Sequence, residues 1–200
     1  MGGTPSPLLV VCALRIERFA LRRGVARSAA DAVTVLRTGM GPKAADRAVR
    51  AALHDPSAAD TAVLTTGFCA GLAPGMRPGD VVVPDDGHES AALVAALKAA
   101  GHTVHTGTLA ESDHVVRGAE RTALAATGAI AVDMESASMR RAALAEGAHR
   151  IAAARVVVDT PEFELVRVGT LRTGIIAFRV LRDLVPAFLE WHRTTALPWR

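Results

Sequence analysis

The sequence predicts an α/β protein, a single-domain three-layer α/β/α sandwich built on a central mixed, mostly parallel sheet. Three observations point there. Short apolar runs alternate with helical patterns along the chain, the sequence form of helices covering both faces of a sheet. Half of the residues are apolar but only 4% are aromatic, and Ala and Val are abundant. A length of 200 residues suits one sizeable core rather than two.

In chain order, strands are expected at Leu8–Ala13, Val33–Arg37, Thr61–Thr66, Asp80–Val83, Thr103–Thr108, Ala129–Val132 and Ile151–Val158. Helices are expected at Pro42–Leu53, Ser90–Ala100, Arg117–Ala126, Glu135–Glu146 and Thr170–Leu184. Pro42 opens its helix, where its missing N–H is not needed. Residues 1–7, with Gly2, Gly3, Pro5 and Pro7, read as a flexible tail, and residues 8–200 as the folded domain. No internal repeat or low-complexity linker interrupts it.

Composition excludes several classes. A formal charge of +3, carried mostly by scattered Arg, does not suit a nucleic-acid surface. Cys12 and Cys69 lie in apolar surroundings without metal-ligand spacing, which fits reduced, cytoplasmic thiols. The N-terminus lacks the charged and apolar regions of a signal peptide, and no apolar run reaches about 18 residues. A soluble, cytoplasmic protein is expected. The seven His residues show no ligand spacing, so neither a metal nor a cofactor is predicted.

Four features sit at the ends of expected strands, where open α/β sheets place their ligands. They are Ala13-Leu14-Arg15-Ile16-Glu17, the Gly-rich turn Thr65-Thr66-Gly67-Phe68-Cys69-Ala70-Gly71, the segment Val132-Asp133-Met134-Glu135-Ser136, and Arg155-Val156-Val157-Val158-Asp159 stopped by Pro161. Each has a plain alternative. Glu17 would be an ordinary exposed helix residue, Asp133 or Glu135 an N-cap of the following helix, Arg155 the partner of a surface acid, and the Gly-rich stretch only a turn.

Taken together and in this order, these features resemble the purine nucleoside phosphorylase and nucleosidase superfamily, with its methylthioadenosine/adenosylhomocysteine nucleosidases. Further matches are Gly79-Asp80-Val81-Val82 after the Gly-rich turn and Thr38-Gly39-Met40-Gly41-Pro42 before the second helix. The resemblance implies cleavage of a purine N-glycosidic bond through a ribosyl cation-like transition state. It makes Asp159 the general acid at purine N7, with a neutral form favoured by desolvation. Glu135 would hold the ribose 2′- and 3′-hydroxyls, Met134 would pack on the sugar, and Glu17 with Arg155 would hold and activate a water. Asp133, Gly67, Phe68, Cys69 and Val115 complete the expected binding residues, Val115 standing where related adenine-specific hydrolases place a Phe.

Phosphorolytic relatives carry an Arg two residues before the turn glycine and a Ser after it. Thr65 and Phe68 stand there, and Arg15 alone does not make a phosphate cradle. Water is therefore the expected nucleophile.

The loop Pro84-Asp85-Asp86-Gly87-His88-Glu89 is shorter than in many relatives, which bears on lid and dimer contacts. Gly67-Phe68-Cys69 and Asp133-Met134-Glu135-Ser136 most resemble the hopanoid-associated phosphorylases. Their implied substrate, adenosylhopane of hopanoid biosynthesis, carries a very large apolar 5′ substituent. The apolar C-terminal segment, with Ile175, Phe178, Phe188, Trp191 and Trp199, reads as a last helix on the sheet, followed past Pro186 by a candidate surface for lipid or dimer contact. A homodimer is what the resemblance implies. Competing readings are a nucleosidase for methylthioadenosine, adenosylhomocysteine or futalosine, a phosphorylase of the same fold, and a catalytically silent nucleoside-binding protein.

Overall fold

The computed structural model describes residues 6–28, 33–55, 58, 60–161 and 170–195. Seven strands form one sheet: β1 (Leu8–Cys12), β2 (Val33–Arg37), β3 (Ala62–Gly71), β4 (Val81–Pro84), β5 (Val104–Glu111), β6 (Ala129–Asp133) and β7 (Ile151–Asp159). Among the described residues seven helices connect and cover them: α1 (Arg15–Ser28), α2 (Pro42–Leu53), α3 (His88–Ala99), α4 (Ala119–Ala126), α5 (Ser136–Ala145), α6 (Thr170–Asp183) and α7 (Val185–Thr195).

Every strand and helix expected from the sequence is present. Most of the pairings are parallel, as in β1 with β2 and β3, β3 with β7, and β5 with β4 and β6. Antiparallel pairs join β3 to β6 and β4 to β7. Strand β3 is the reason the sheet is more than a flat layer. It pairs with β7 along most of its length and with β6 at its far end, so β3, β6, β5, β4 and β7 close into a ring while β1 and β2 extend from it. Ring closure leaves fewer free edges than an open sheet of the same size.

Strand β1 is buried on both faces because alternate residues feed two separate cores. Leu8, Val10 and Cys12 join the core under α1, α3, α6 and α7, and Leu9, Val11 and Ala13 join the one under α2 and α5. A strand covered on both sides reads as a continuous apolar run, which is why β1 and β3 were legible.

Two helices were not anticipated. In α1 the inward positions are Glu17, Ala20, Leu21 and Gly24, a stripe in which a carboxylate and a glycine replace two apolar residues. Such a stripe has the right spacing but little of the apolar signal. Helix α7 takes up the segment past Pro186, which the sequence offers as a candidate surface for lipid or dimer contact. Phe188 and Trp191 are fully buried in the core beneath α3 and α1, so this face of the segment is already covered by the protein itself. Trp199 and residues 1–5 of the expected tail lie outside the described residues. Among the described residues no helix is long and apolar enough to cross a membrane.

Gly24 sets how closely α1 approaches the C-terminal helices. A Cβ built there would lie 2.5 Å from the Arg182 carbonyl oxygen and 2.5 Å from Val185 Cγ2. Gly24→Ala is therefore expected to destabilise the protein by about 1–3 kcal/mol through overpacking, against a helix-propensity gain of roughly 1 kcal/mol. A denaturant midpoint equal to or above that of the unsubstituted protein would show that α1 moves away at no cost.

Candidate active site

The carboxyl ends of β1, β3, β6 and β7 converge on one cleft. Its walls include Glu17, Phe68, Cys69, Val115, Arg121, Asp133, Met134, Glu135 and Asp159. Eight of the residues singled out from sequence thus meet in one place, although they lie as far apart in the chain as positions 17 and 159.

Glu17 is delivered by the junction of β1 and α1. It is the third residue of α1, and its Oε2 accepts the N–H groups of Leu14 at 2.8 Å and Ala13 at 2.9 Å. This is half of a capping box, in which a third-position Glu satisfies donors that the helix start leaves unpaired. Its Oε1 accepts the Phe68 N–H at 2.8 Å, which ties α1 to the Gly-rich segment of β3. The side chain is buried, not the exposed helix residue of the plain alternative. Burial pushes its pKa up, and the nearby Arg155 charge and the three N–H groups oppose that shift. A carboxylate so placed is a base closer to neutrality than an exposed one.

Arg155 lies behind the cleft rather than on its wall. It is completely buried, with Nε 2.7 Å from Asp133 Oδ2 and 2.7 Å from Ser136 Oγ. Its Nη1 donates to the Thr66 carbonyl at 2.8 Å. The expectation that Arg155 touches a bound water is thereby corrected. The guanidinium is consumed by the protein interior and acts on the cleft through its charge beside Glu17. Gly67 also lies behind the wall. At φ 140° it is extended in a region that favours glycine, and a Cβ there would sit 2.6 Å from Arg155 Nη1 and 2.7 Å from Glu17 Oε1. The glycine makes room for the carboxylate and guanidinium to approach each other.

Asp133 and Glu135 divide the two readings of their segment. Asp133 accepts the Ser136 N–H at 3.2 Å through Oδ2, is hydrogen-bonded by the Ser136 hydroxyl, and pairs with Arg155. It therefore braces the start of α5 and pairs with a buried cation while also standing in the cleft wall. Glu135 lines the cleft and accepts the Gly41 N–H at 2.8 Å through Oε1. That bond brings the Gly39-Met40-Gly41 turn onto the cleft, Gly41 having φ 87°. Burial pushes the Glu135 pKa up.

Asp159 ends β7 and is buried, but not in the apolar setting anticipated. Arg121 Nη2 pairs with its Oδ2. The carboxyl group thus meets a guanidinium as well as the apolar wall. Arg121 was not recognised from sequence. The available signal was its place on the same face of α4 as Leu124, where a cation is out of keeping with a packed stripe.

Around these groups the wall is apolar. Phe68 and Met134 are partly buried, and burial pushes the Cys69 thiol up so that it stays neutral. Val115 and Met40 are well exposed at the cleft. Thr65 and Arg15, which stand near the positions considered for phosphate contacts, are respectively fully buried and exposed, and neither lines the cleft.

Comparison with known proteins supports the fold independently. Residues 15–90 match the family model described as Phosphorylase superfamily. A 5′-methylthioadenosine/S-adenosylhomocysteine nucleosidase from Neisseria meningitidis, solved with methylthio-immucillin-A, superposes with a TM-score of 0.76 at 19% identity, over 92% of this chain and 99% of that one. The Streptococcus pneumoniae MTA/SAH nucleosidase in complex with 8-aminoadenine gives a TM-score of 0.71 at 20% identity, again over 92% and 99% of the two chains. The Campylobacter jejuni nucleosidase gives 0.76 at 14% identity with the same coverage. No curated protein matches the sequence.

The spacing at Gly67 generates a direct test. Gly67→Ala should displace the Glu17 carboxylate or Arg155 and lower stability by about 1–3 kcal/mol, from overpacking against side chains that have little room to yield. Chemical denaturation measures this, and an unchanged midpoint would show that the Glu17–Arg155 approach is not tight.

Proposed function

We propose that this protein is a purine N-ribosyl hydrolase that cleaves the N-glycosidic bond of a 5′-substituted purine nucleoside. The observation that carries the reading is the convergence of Glu17, Glu135 and Asp159 on one apolar-walled cleft. Three carboxyl groups with different surroundings suit the three tasks of such a reaction.

Glu17 is suited to hold and deprotonate the attacking water. Its two oxygens offer roughly four lone-pair sites, and backbone N–H groups use three of them. Glu135 would take the ribose hydroxyls, whose hydrogen bonds strengthen as positive charge develops on the sugar. Asp159 would face purine N7. In the reaction the water oxygen bonds to C1′ as the C1′–N9 bond breaks, and the electron pair of that bond passes to the purine. One water proton goes to Glu17 and the Asp159 proton goes to N7. Exchange with solvent then restores both carboxyl groups.

Water is favoured over phosphate on electrostatic grounds. The Phe68 N–H that would serve an anion is engaged by Glu17, and a carboxylate in the nucleophile position repels phosphate. For the 5′ group, exposed Met40 and Val115 at the cleft support an apolar substituent such as the triterpene of adenosylhopane. A small soluble substrate is the alternative. The same residues argue against a silent binding protein, which has no use for a proton donor.

Release of free base is measured from adenosylhopane, methylthioadenosine, adenosylhomocysteine, futalosine and inosine, each with and without phosphate. Release independent of phosphate is expected, and strict dependence on phosphate would overturn the hydrolytic reading. Asp159→Asn should reduce kcat by roughly a hundred- to ten-thousand-fold while much of the affinity for ligand remains. Near-normal turnover in that variant would remove Asp159 from the chemistry.

The pH profile tests Glu17. A base must be ionised, and burial raises its pKa, so kcat/KM should fall as pH drops through a value above the ordinary Glu range of about 4.3. A profile flat down to pH values below that range would exclude Glu17 as the base.

A further inference from the structure

We propose that Arg121 is a specificity-determining residue that reads the substituent at purine C6 and selects an oxygen there over an amino group. The inference rests on the nucleosidase reading and refines its substrate class to 6-oxopurine nucleosides.

Helix α4 is short and mostly exposed, and its one buried residue is Arg121. Burying a guanidinium is costly unless its N–H groups find partners. Two of its nitrogens have them. Nε donates to the Val116 carbonyl at 3.2 Å, and Nη2 pairs with Asp159 Oδ2. These two anchors fix the plane of the guanidinium at the cleft. Nη1 is buried and has no hydrogen-bond partner among the described residues. A charged donor left without a partner, in a residue that lines the cleft beside the carboxylate assigned to N7, calls for an acceptor that a ligand in the cleft can bring.

The chemistry of the purine says which ligand. The C6 substituent projects on the same edge of the base as N7, so a base whose N7 meets Asp159 presents C6 to the neighbouring guanidinium. Arginine is a donor only. Hypoxanthine and guanine offer an acceptor oxygen at C6, whereas adenine offers an amino group that itself must donate. A carboxyl group alone would suit adenine well, one oxygen serving N7 and the other accepting from the 6-amino group. Here Oδ2 is committed to Arg121.

The reaction favours the same choice. When C1′–N9 breaks, negative charge spreads over a 6-oxopurine onto O6, and a fixed guanidinium at that atom stabilises the leaving group as charge develops. Arg121 thus assists departure of the base beside Asp159. Adenosylhopane would satisfy the apolar mouth but bring its 6-amino group against Arg121. A 5′-substituted inosine-type nucleoside satisfies both.

The test uses matched pairs that differ only at C6: inosine with adenosine, and 5′-methylthioinosine with 5′-methylthioadenosine. The 6-oxo member is expected to have the higher kcat/KM by roughly 10- to 100-fold, the discrimination of one charge-assisted hydrogen bond. In Arg121→Met that ratio should collapse to near unity or invert, and Arg121→Lys should restore part of it. A residue acting only in folding would lower both members equally and leave the ratio unmoved.

Calorimetric binding of hypoxanthine and adenine to the unsubstituted protein provides a readout independent of turnover and of how the variants fold. Tighter hypoxanthine binding supports the assignment, and equal or tighter adenine binding overturns it. If no nucleoside is cleaved but hypoxanthine binds preferentially, the nucleosidase reading fails while the role of Arg121 in recognising the base stands. Preference for the 6-amino member, or a ratio that Arg121→Met leaves unchanged, overturns the inference and leaves the hydrolytic reading intact.

Discussion

The cleft is organised around one buried cation. Arg155, in the middle of β7, has no contact with solvent and is neutralised by Asp133 at the end of β6. Its other bonds reach Ser136 at the start of α5 and the Thr66 carbonyl of β3. Three strands and a helix are thereby held in one register by a single side chain. Desolvation makes such a group costly unless every donor is answered, and a buried pair that loses one partner is destabilised by several kcal/mol. The geometry around it is correspondingly constrained. Gly67 has to be a glycine because Arg155 and Glu17 crowd it from two sides, and Glu17 is held where its charge is compensated by a guanidinium it does not have to share with solvent.

The four acids of the site differ through their neighbours rather than through their own chemistry. Asp133 and Asp159 each meet an arginine. Glu17 and Glu135 are buried against backbone N–H groups, and burial moves both toward their neutral forms. The first two answer cations, while the second two are left by burial to exchange a proton or a hydrogen bond with a ligand. The division runs across residue type and across strands. It also explains how Asp133 and Glu135, two positions apart, do different work. Asp133 is the last residue of β6 and meets the interior cation, whereas Glu135 stands at the N-cap position of α5 and meets the Gly41 N–H at the cleft.

Much of the architecture was legible because buried strands are continuous apolar runs and helices begin and end at recognisable residues. Strand β2 and helix α2 occupy the bounds expected from pattern alone. The ends of β3 and β5 were not, since both run on through Gly-rich or polar residues to pair with β6. Helix α1 escaped notice because its inward stripe spends positions on Glu17 and Gly24, the first for the cleft and the second for close packing on the C-terminal helices. The apolar character of the segment past Pro186 was seen, but whether its Phe188 and Trp191 meet lipid, a partner or the same chain depends on what lies across from them, and that is α3 and α1.

By itself the sequence determined the α/β class, the alternation of elements, and the places of Glu135 and Asp159 beside the ends of β6 and β7, because these follow from local periodicity and from chain order. Only the tertiary structure decided which of those residues face the cleft and what charge each one meets. Arg155 moved behind the wall, Asp133 became its counter-ion, and Arg121 arrived beside Asp159 from a helix 38 positions earlier in the chain. The reason is the range of the forces involved. Hydrogen-bond caps and hydrophobic spacing act between residues a few positions apart, whereas burial and ion pairing act between residues close in space, which the sequence does not order.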